Sequence, residues 1–199
     1  MTHSIPEIVF ATNNTHKLSE LRAIVGDSLR ILSLAEIDCH EDIPETGNTL
    51  EENSMIKARW VKDRYGYDCI ADDTGLEVEA LAGAPGVHSA RYAPGEGHDS
   101  QANMKLLLKN MEGVENRRAR FRTVITLLTD SHGCNVVDGI VNGVIATEPR
   151  GENGFGYDPV FVPDEARGLS FAQMDGKAKN DISHRGRATR ALLKLLEKF

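Results

Sequence analysis

The stretch IVFATNNTHKLSELRAIVG, residues 8–26, decides the fold class. Ile8, Val9, Phe10 and Ala11 form a short β-like run. Thr12, Asn13, Asn14 and Thr15 follow, all residues that cap helices. Leu18, Leu21, Ile24 and Val25 then recur on one helical face, and Gly26 supplies a stop. The pattern is strand, polar loop, helix. The next segments repeat it. Residues 30–34 read as a second strand, and 43–48 as a loop with Pro44 and Gly47. Thr49-Leu50-Glu51-Glu52 matches a capping box, predicting a helix from Leu50 to about Arg64. Residues 68–71 read as a strand ending in the turn-like Asp72-Asp73-Thr74-Gly75, with a further short strand over 76–78.

Residues 82–97 are rich in glycine and proline. Asp99 or Ser100 caps a helix carrying Leu107, Leu108 and Met111. Over 118–129, Ala119, Phe121, Thr123, Ile125 and Leu127 alternate with Arg118, Arg120 and Arg122, the signature of a half-buried strand. Residues 135–147 are its candidate partner, with Gly139 and Gly143 as bulge positions. A glycine-rich loop over 150–158 precedes a strand over 160–162. Ala188, Ala191, Leu192, Leu195, Leu196 and Phe199 form one apolar helical stripe. Early alternation followed by long paired strands predicts an α/β protein. It would have a mixed sheet, two lobes and a groove between them, in a single domain over 1–199.

Composition excludes several classes. Of 199 residues, 40% are hydrophobic and 27% charged, which is ordinary for a globular domain and argues against disorder. No apolar run approaches the ~18 residues of a membrane span. Residues 1–7 lack the basic and apolar regions of a signal peptide, so the expected location is the cytoplasm. Cys39, Cys69 and Cys134 lie far apart with no CxxC, against a disulfide framework or a zinc site. The net charge of −7 gives no field to attract nucleic acid. A polyanionic ligand would need a local basic patch or a metal ion.

Four polar clusters carry the chemistry. Thr12-Asn13-Asn14-Thr15-His16-Lys17 opens a helix, where unpaired N–H groups and the dipole suit phosphate, although the same residues also serve as ordinary caps. Asp72-Asp73-Thr74-Gly75 offers a carboxylate that could hold Mg²⁺ or orient water, or else a plain turn. Glu45, Glu51 and Glu52 could add oxygens. In Gly154-Phe155-Gly156-Tyr157-Asp158-Pro159 an aromatic between glycines could lie against a planar base, worth about 1–3 kcal/mol, or plug the core. Lys177, Lys179 and Ser183-His184-Arg185-Gly186-Arg187 form a basic cluster, either a plain solvated patch or a site, in which His184, Arg185 and Arg187 sit in the first turn of the last helix, against its dipole. An anionic or carbonyl-bearing ligand would repair that mismatch. The four together describe a nucleotide site. No P-loop, GxGxxG, GxSxG or HExxH motif competes with this reading.

These residues resemble the inosine/xanthosine triphosphate pyrophosphatases, the Ham1-like family. The matching blocks are T-x-N-x-x-K at 12–17, Ala71-Asp72-Asp73-Thr74-Gly75-Leu76, Gly83-Ala84-Pro85-Gly86 with Ser89-Ala90-Arg91-Tyr92, residues 154–159, and I-S-H-R-G at 182–186. The resemblance implies a two-lobed α/β fold with a central nucleotide cleft, a homodimer, and Mg²⁺-dependent hydrolysis of dITP, ITP and XTP to the monophosphate and pyrophosphate. It implies that Thr12, Asn13, Asn14, Thr15, His16 and Lys17 bind the triphosphate, with Lys57 nearby. Asp73 would hold Mg²⁺ and act as base, supported by Asp72, and the family's second metal-binding Glu would correspond to Glu45 or to the Pro44 position. Thr74 would touch substrate. Phe155, Gly156, Tyr157 and Asp158 would hold base and sugar. Lys179, His184 and Arg185 would contact the purine and its 6-keto oxygen. Gln173 and Ala178 depart from the family, which often has Glu at both positions. Rival readings are a nucleotide sensor without catalysis and an enzyme for modified pyrimidine triphosphates.

Overall fold

Local side-chain chemistry sets the helix starts. In the computed structural model, which describes residues 7–95 and 98–198, strand β1 (Glu7–Phe10) leads into helix α1 (Thr15–Val25). Asn14 caps α1, its Oδ1 accepting from the N–H groups of His16 and Lys17 at 3.0 and 3.2 Å. Thr49 caps α2 (Leu50–Tyr65) by accepting from Glu52 N at 3.1 Å. The reciprocal arm of the capping box goes elsewhere, because Glu52 Oε2 accepts from Asn48 N at 2.6 Å. Asp99 caps α3 (Ser100–Asn110) and Asp175 caps α4 (Gly176–Ile182). Each such cap is worth about 1 kcal/mol. Helix α5 (His184–Leu196) follows Ser183 directly. Residues 1–6, the 96–97 end of the glycine-rich loop and Phe199 of the last stripe lie outside the described residues.

The chain divides into two compact units. Unit 1 comprises Met1–Asp73, Thr123–Gly139 and Arg185–Phe199. In it β1 pairs in parallel with β2 (Arg30–Leu32), Ile8 facing Ile31. On its other edge β1 pairs in parallel with β3 (Cys69–Val78), Val9 facing Cys69. Helices α1 and α2 make the crossovers that parallel pairing requires. Two apolar clusters fill the unit. One joins Phe10, Leu21, Ile70, Ile125 and Leu192; the other joins Val9, Leu34, Ala58, Trp60 and Val61.

Unit 2 comprises Thr74–Arg122 and Ile140–His184. Here β3 pairs antiparallel with β4 (Pro85–Gly86). Strand β6 (Gly133–Ile145) pairs antiparallel with β7 (Phe161–Pro163). Strand β5 (Arg118–Thr129) matches the sequence expectation residue for residue. Its core joins Leu76, Leu107, Met111, Phe121, Phe161 and Phe171. The hydrogen-bonded strand order is β2-β1-β3-β5-β6-β7, with β4 beside β3.

Three expectations change. Asp72-Asp73-Thr74-Gly75 is not a turn after a strand; β3 runs through it without a break. Both carboxylates are buried with cationic partners, which removes the cost that would have ended the strand. Helix α4 and the 3₁₀ turn Phe171–Gln173 were not foreseen, being too short to show a period. Gln173, one of the two departures from the family, closes that turn: its Oε1 accepts from Ser170 N at 3.0 Å. Gly143 sits in regular register with Pro163, so close approach explains it. A Cβ there would lie 2.3 Å from Val162 O and 2.9 Å from Pro163 Cα. Both are backbone atoms, so the strand pair itself must shift. Gly143→Ala is therefore expected to destabilise the protein by about 1–3 kcal/mol, read from urea unfolding midpoints.

Candidate active site

In unit 1, β3 sends consecutive side chains to opposite faces, and Asp72 and Asp73 meet different partners. Asp72 is 1% exposed and accepts from Lys17 Nζ at 3.0 Å and from Arg185 Nε at 3.4 Å. Lys17 comes from α1 and Arg185 from α5. Arg185 also pairs through its Nη1 with Glu20, one turn beyond Lys17. Burial alone would raise the Asp72 carboxyl, but Lys17, Arg185 and Lys57 together hold it well below the ordinary carboxylate range. Burial lowers Lys17, with Asp72 opposing and Lys57 and Arg185 adding to the fall.

On the other face, Asp73 Oδ2 accepts from Asn53 Nδ2 at 3.1 Å, and Oδ1 lies 3.4 Å from Lys57 Nζ. Lys57 donates to Glu45 Oε1 at 2.8 Å. Burial raises the Asp73 carboxyl; Lys57 is the main opposing influence, and Glu45 adds to the rise. Burial would lower Lys57, but Asp73, Asp72 and Glu45 outweigh it and raise its pKa. One carboxylate is thus locked as an anion, while its neighbour is shifted toward basicity. Thr12 and Asn14 are half-buried, Thr12 Oγ1 accepting from Asn14 N at 3.1 Å. Asn13, Thr15 and His16 are exposed at the same helix start.

In unit 2, the 154–158 loop closes on its own acid. Asp158 Oδ2 accepts from Phe155 N at 2.8 Å and from Lys179 Nζ at 2.8 Å. Gly154 has φ +76°, and a Cβ there would lie 2.1 Å from Asp158 Oδ2, so only glycine fits. The Lys179 ammonium sits 4.9 Å from the Phe155 ring centre and 5.8 Å from that of Phe171. His184 stacks on Phe121 with centroids 4.5 Å apart. Phe155, Gly156 and Thr74 are half-buried. Tyr157 is buried in the apolar core of this unit and donates its hydroxyl to Ser89 O at 2.8 Å. Burial raises its phenol, so it stays protonated.

The structure therefore sorts the expected residues. It gathers Lys17, Glu45, Lys57, Asp72, Asp73 and Arg185 in one unit, and Phe155, Asp158, Lys179 and His184 in the other. Arg185 joins Asp72 and Glu20, so the protein's own carboxylates relieve its mismatch with the helix dipole. Asn53 and Glu20 were missed. Asn53 lies four residues before Lys57 and Glu20 three after Lys17, spacings that share a helix face and could have revealed both.

Replacing Asp72 with Asn would leave Lys17 and Arg185 without their shared anion. A loss of about 3–5 kcal/mol is expected for breaking a buried pair. The folded-state pKa of Asp72 is depressed, so its contribution is complete above the ordinary value and is lost as pH falls through the lower one. The stability gap between wild type and Asp72→Asn should stay constant from about pH 5 to 8 and narrow below about pH 4. Denaturant titrations across that range check it.

The chain is similar to known proteins over nearly its whole length. Residues 8–195 match the Ham1 family. The chain is 54% identical over 187 residues to a dITP/XTP pyrophosphatase of Porphyromonas gingivalis, covering 94% of this chain and 95% of that protein. It is 44% identical over 194 residues to a dITP/XTP pyrophosphatase of Bacillus subtilis, covering 96% and 97%. The structure of the Staphylococcus aureus Ham1 protein superposes with a TM-score of 0.86 at 40% identity, covering 96% of this chain and 98% of that one. The chain belongs to the Ham1 family.

Proposed function

We propose that this chain is a nucleoside-triphosphate pyrophosphatase that hydrolyses the non-canonical purine nucleotides dITP, ITP and XTP to the monophosphate and pyrophosphate, with Mg²⁺ as cofactor. The observation that carries the reading is Asp73: a buried carboxylate of raised pKa, between an ammonium and an amide, in a chain 54% identical to a dITP/XTP pyrophosphatase. Asp73 and Glu45 would hold the metal. Asp73 and Glu45 present hard oxygens around Lys57, and Mg²⁺ usually takes one or two carboxylates besides substrate phosphates. Held there, Mg²⁺ would offset the negative charge of the phosphates.

The chain's own groups do the rest. Thr12, Asn13, Asn14, Thr15, His16 and Lys17 bind the triphosphate at the start of α1, and Lys57 adds a second ammonium. Asp73 accepts the proton of the water that attacks phosphorus. Lys17 and Lys57 meet the charge that develops on the leaving pyrophosphate. Thr74 contacts substrate. Phe155 stacks on the base, with Gly156 allowing close approach and Asp158 and Lys179 fixing the sugar and the base edge. His184 and Arg185 complete recognition of the 6-keto oxygen. Tyr157 holds the loop through Ser89. On this reading the two units act as one catalytic domain, in a cytoplasmic homodimer.

A site that donates to a 6-keto oxygen leaves its donors unpaired opposite an adenine amine. Pyrophosphate release should therefore show kcat/KM for ITP far above that for ATP, and equal turnover of both would refute the assignment. Asp73→Asn should lower kcat by at least ~10²-fold while metal-free nucleotide binding survives. Phe155→Ala should act mainly on KM, by roughly 5–150-fold for a stacking energy of about 1–3 kcal/mol.

A further inference from the structure

We propose that Asn53 is a positioning residue that sets both Asp73 and the loop bearing Glu45, an inference that rests on the function proposed above. Asn53 is 2% exposed. Its Oδ1 accepts from Gly47 N at 2.7 Å. A backbone N–H can meet only the oxygen of the amide, so the orientation of Asn53 is fixed and Nδ2 must face Asp73. There it donates to Oδ2 at 3.1 Å.

The loop is seated on this amide. A Cβ at Gly47 would lie 2.8 Å from Asn53 Oδ1 and 2.6 Å from Glu52 Cβ. Glu52 fastens the next residue by accepting from Asn48 N. Two residues before Gly47, Glu45 receives Lys57, which stands one helical turn after Asn53 and reaches the other oxygen of Asp73. The contacts close a ring: Asp73, Asn53, Gly47, Thr46, Glu45, Lys57 and back to Asp73. Both oxygens of Asp73 are thereby assigned, and the two carboxylates proposed for the metal are held at a spacing that Asn53 governs. Asn53 itself makes no proposed contact with nucleotide, so its effect passes through those two acids.

The test compares Asn53→Ala, which removes both arms, with wild type. Outer partners of metal ligands typically matter 10–100-fold. Mn²⁺ binding without nucleotide, followed by electron paramagnetic resonance, should weaken about 10–100-fold. At saturating Mg²⁺, kcat on ITP should fall about 10–100-fold, with KM and metal-free ITP affinity within about twofold. A folded variant with Mn²⁺ affinity and kcat both within twofold of wild type overturns the proposal. If the alanine variant does not fold, Asn53→Asp decides, since it keeps an acceptor for Gly47 and removes the donor to Asp73. A kcat at least ~10-fold lower with metal-free ITP affinity unchanged supports the proposal, and a kcat within twofold overturns it. Wild type that releases no pyrophosphate from ITP would refute the enzyme reading instead, leaving the Mn²⁺ comparison to decide Asn53.

Discussion

Two adjacent carboxylates buried on one strand, Asp72 and Asp73, impose the constraint around which unit 1 is organised. Burying either alone would cost several kcal/mol without a partner. A strand points neighbours in opposite directions, so each carboxylate takes its own hydrogen-bonding partners, although Lys17 and Lys57 act electrostatically on both. Helices α1 and α5 bring Lys17 and Arg185 to Asp72, and α2 brings Lys57 and Asn53 to Asp73. The same solution separates the two acids chemically. Two directly paired cations, Lys17 and Arg185, keep Asp72 ionised, while Asp73, with one ion pair and Glu45 nearby, is shifted upward. Neighbouring carboxylates pushed in opposite directions by their surroundings are the usual basis for giving one acid a structural role and the other a protonic one.

Most of the scaffold was legible because its signals are local. The alternation in β5, the Asn14, Thr49 and Asp99 caps and the apolar face of α1 are all readable within a dozen residues. The 72–75 segment was not, since Asp and Gly read as turn formers until their partners, 55 and 113 residues away from Asp72 in sequence, are in place. Arg185 shows the converse. Its unfavourable place in the first turn was visible, but the Glu20 and Asp72 carboxylates that answer it were not. For Asn53 only the spacing to Lys57 was readable, since its contacts with Gly47 and Asp73 appear only in the fold.

Unit 2 solves a different problem, that of presenting an aromatic ring on a loop. The Gly154–Asp158 turn is fixed from inside by Asp158, which binds the loop's own Phe155 N–H and the buried ammonium of Lys179. That ammonium in turn lies near the Phe155 and Phe171 rings, so charge pairing and cation–π contact converge on one lysine. Tyr157, anchored by its hydroxyl to Ser89 O, ties the loop to the 83–92 block. Ser89 accepts from Leu76 N and donates to Gly86 O through its own hydroxyl. In the sequence the Ser89 block stands out by family resemblance alone. In the fold it has a physical role, joining the aromatic loop to β3.

The charge balance of unit 1 bears on the metal requirement of the proposed reaction. Lys17, Lys57 and Arg185 are each already paired, and the acids around them, Glu20, Glu45, Asp72 and Asp73, outnumber them. A chain of net charge −7 adds no long-range attraction for a triphosphate. The local cations therefore orient a polyanion better than they neutralise it. In the proposed reaction neutralisation would fall to a divalent ion, which the carboxylates of Asp73 and Glu45 would draw in. This charge balance supports the metal requirement proposed for the reaction, whichever group activates water. The same excess of acid discourages binding of a metal-free triphosphate beyond what the helix start and Lys17 sustain.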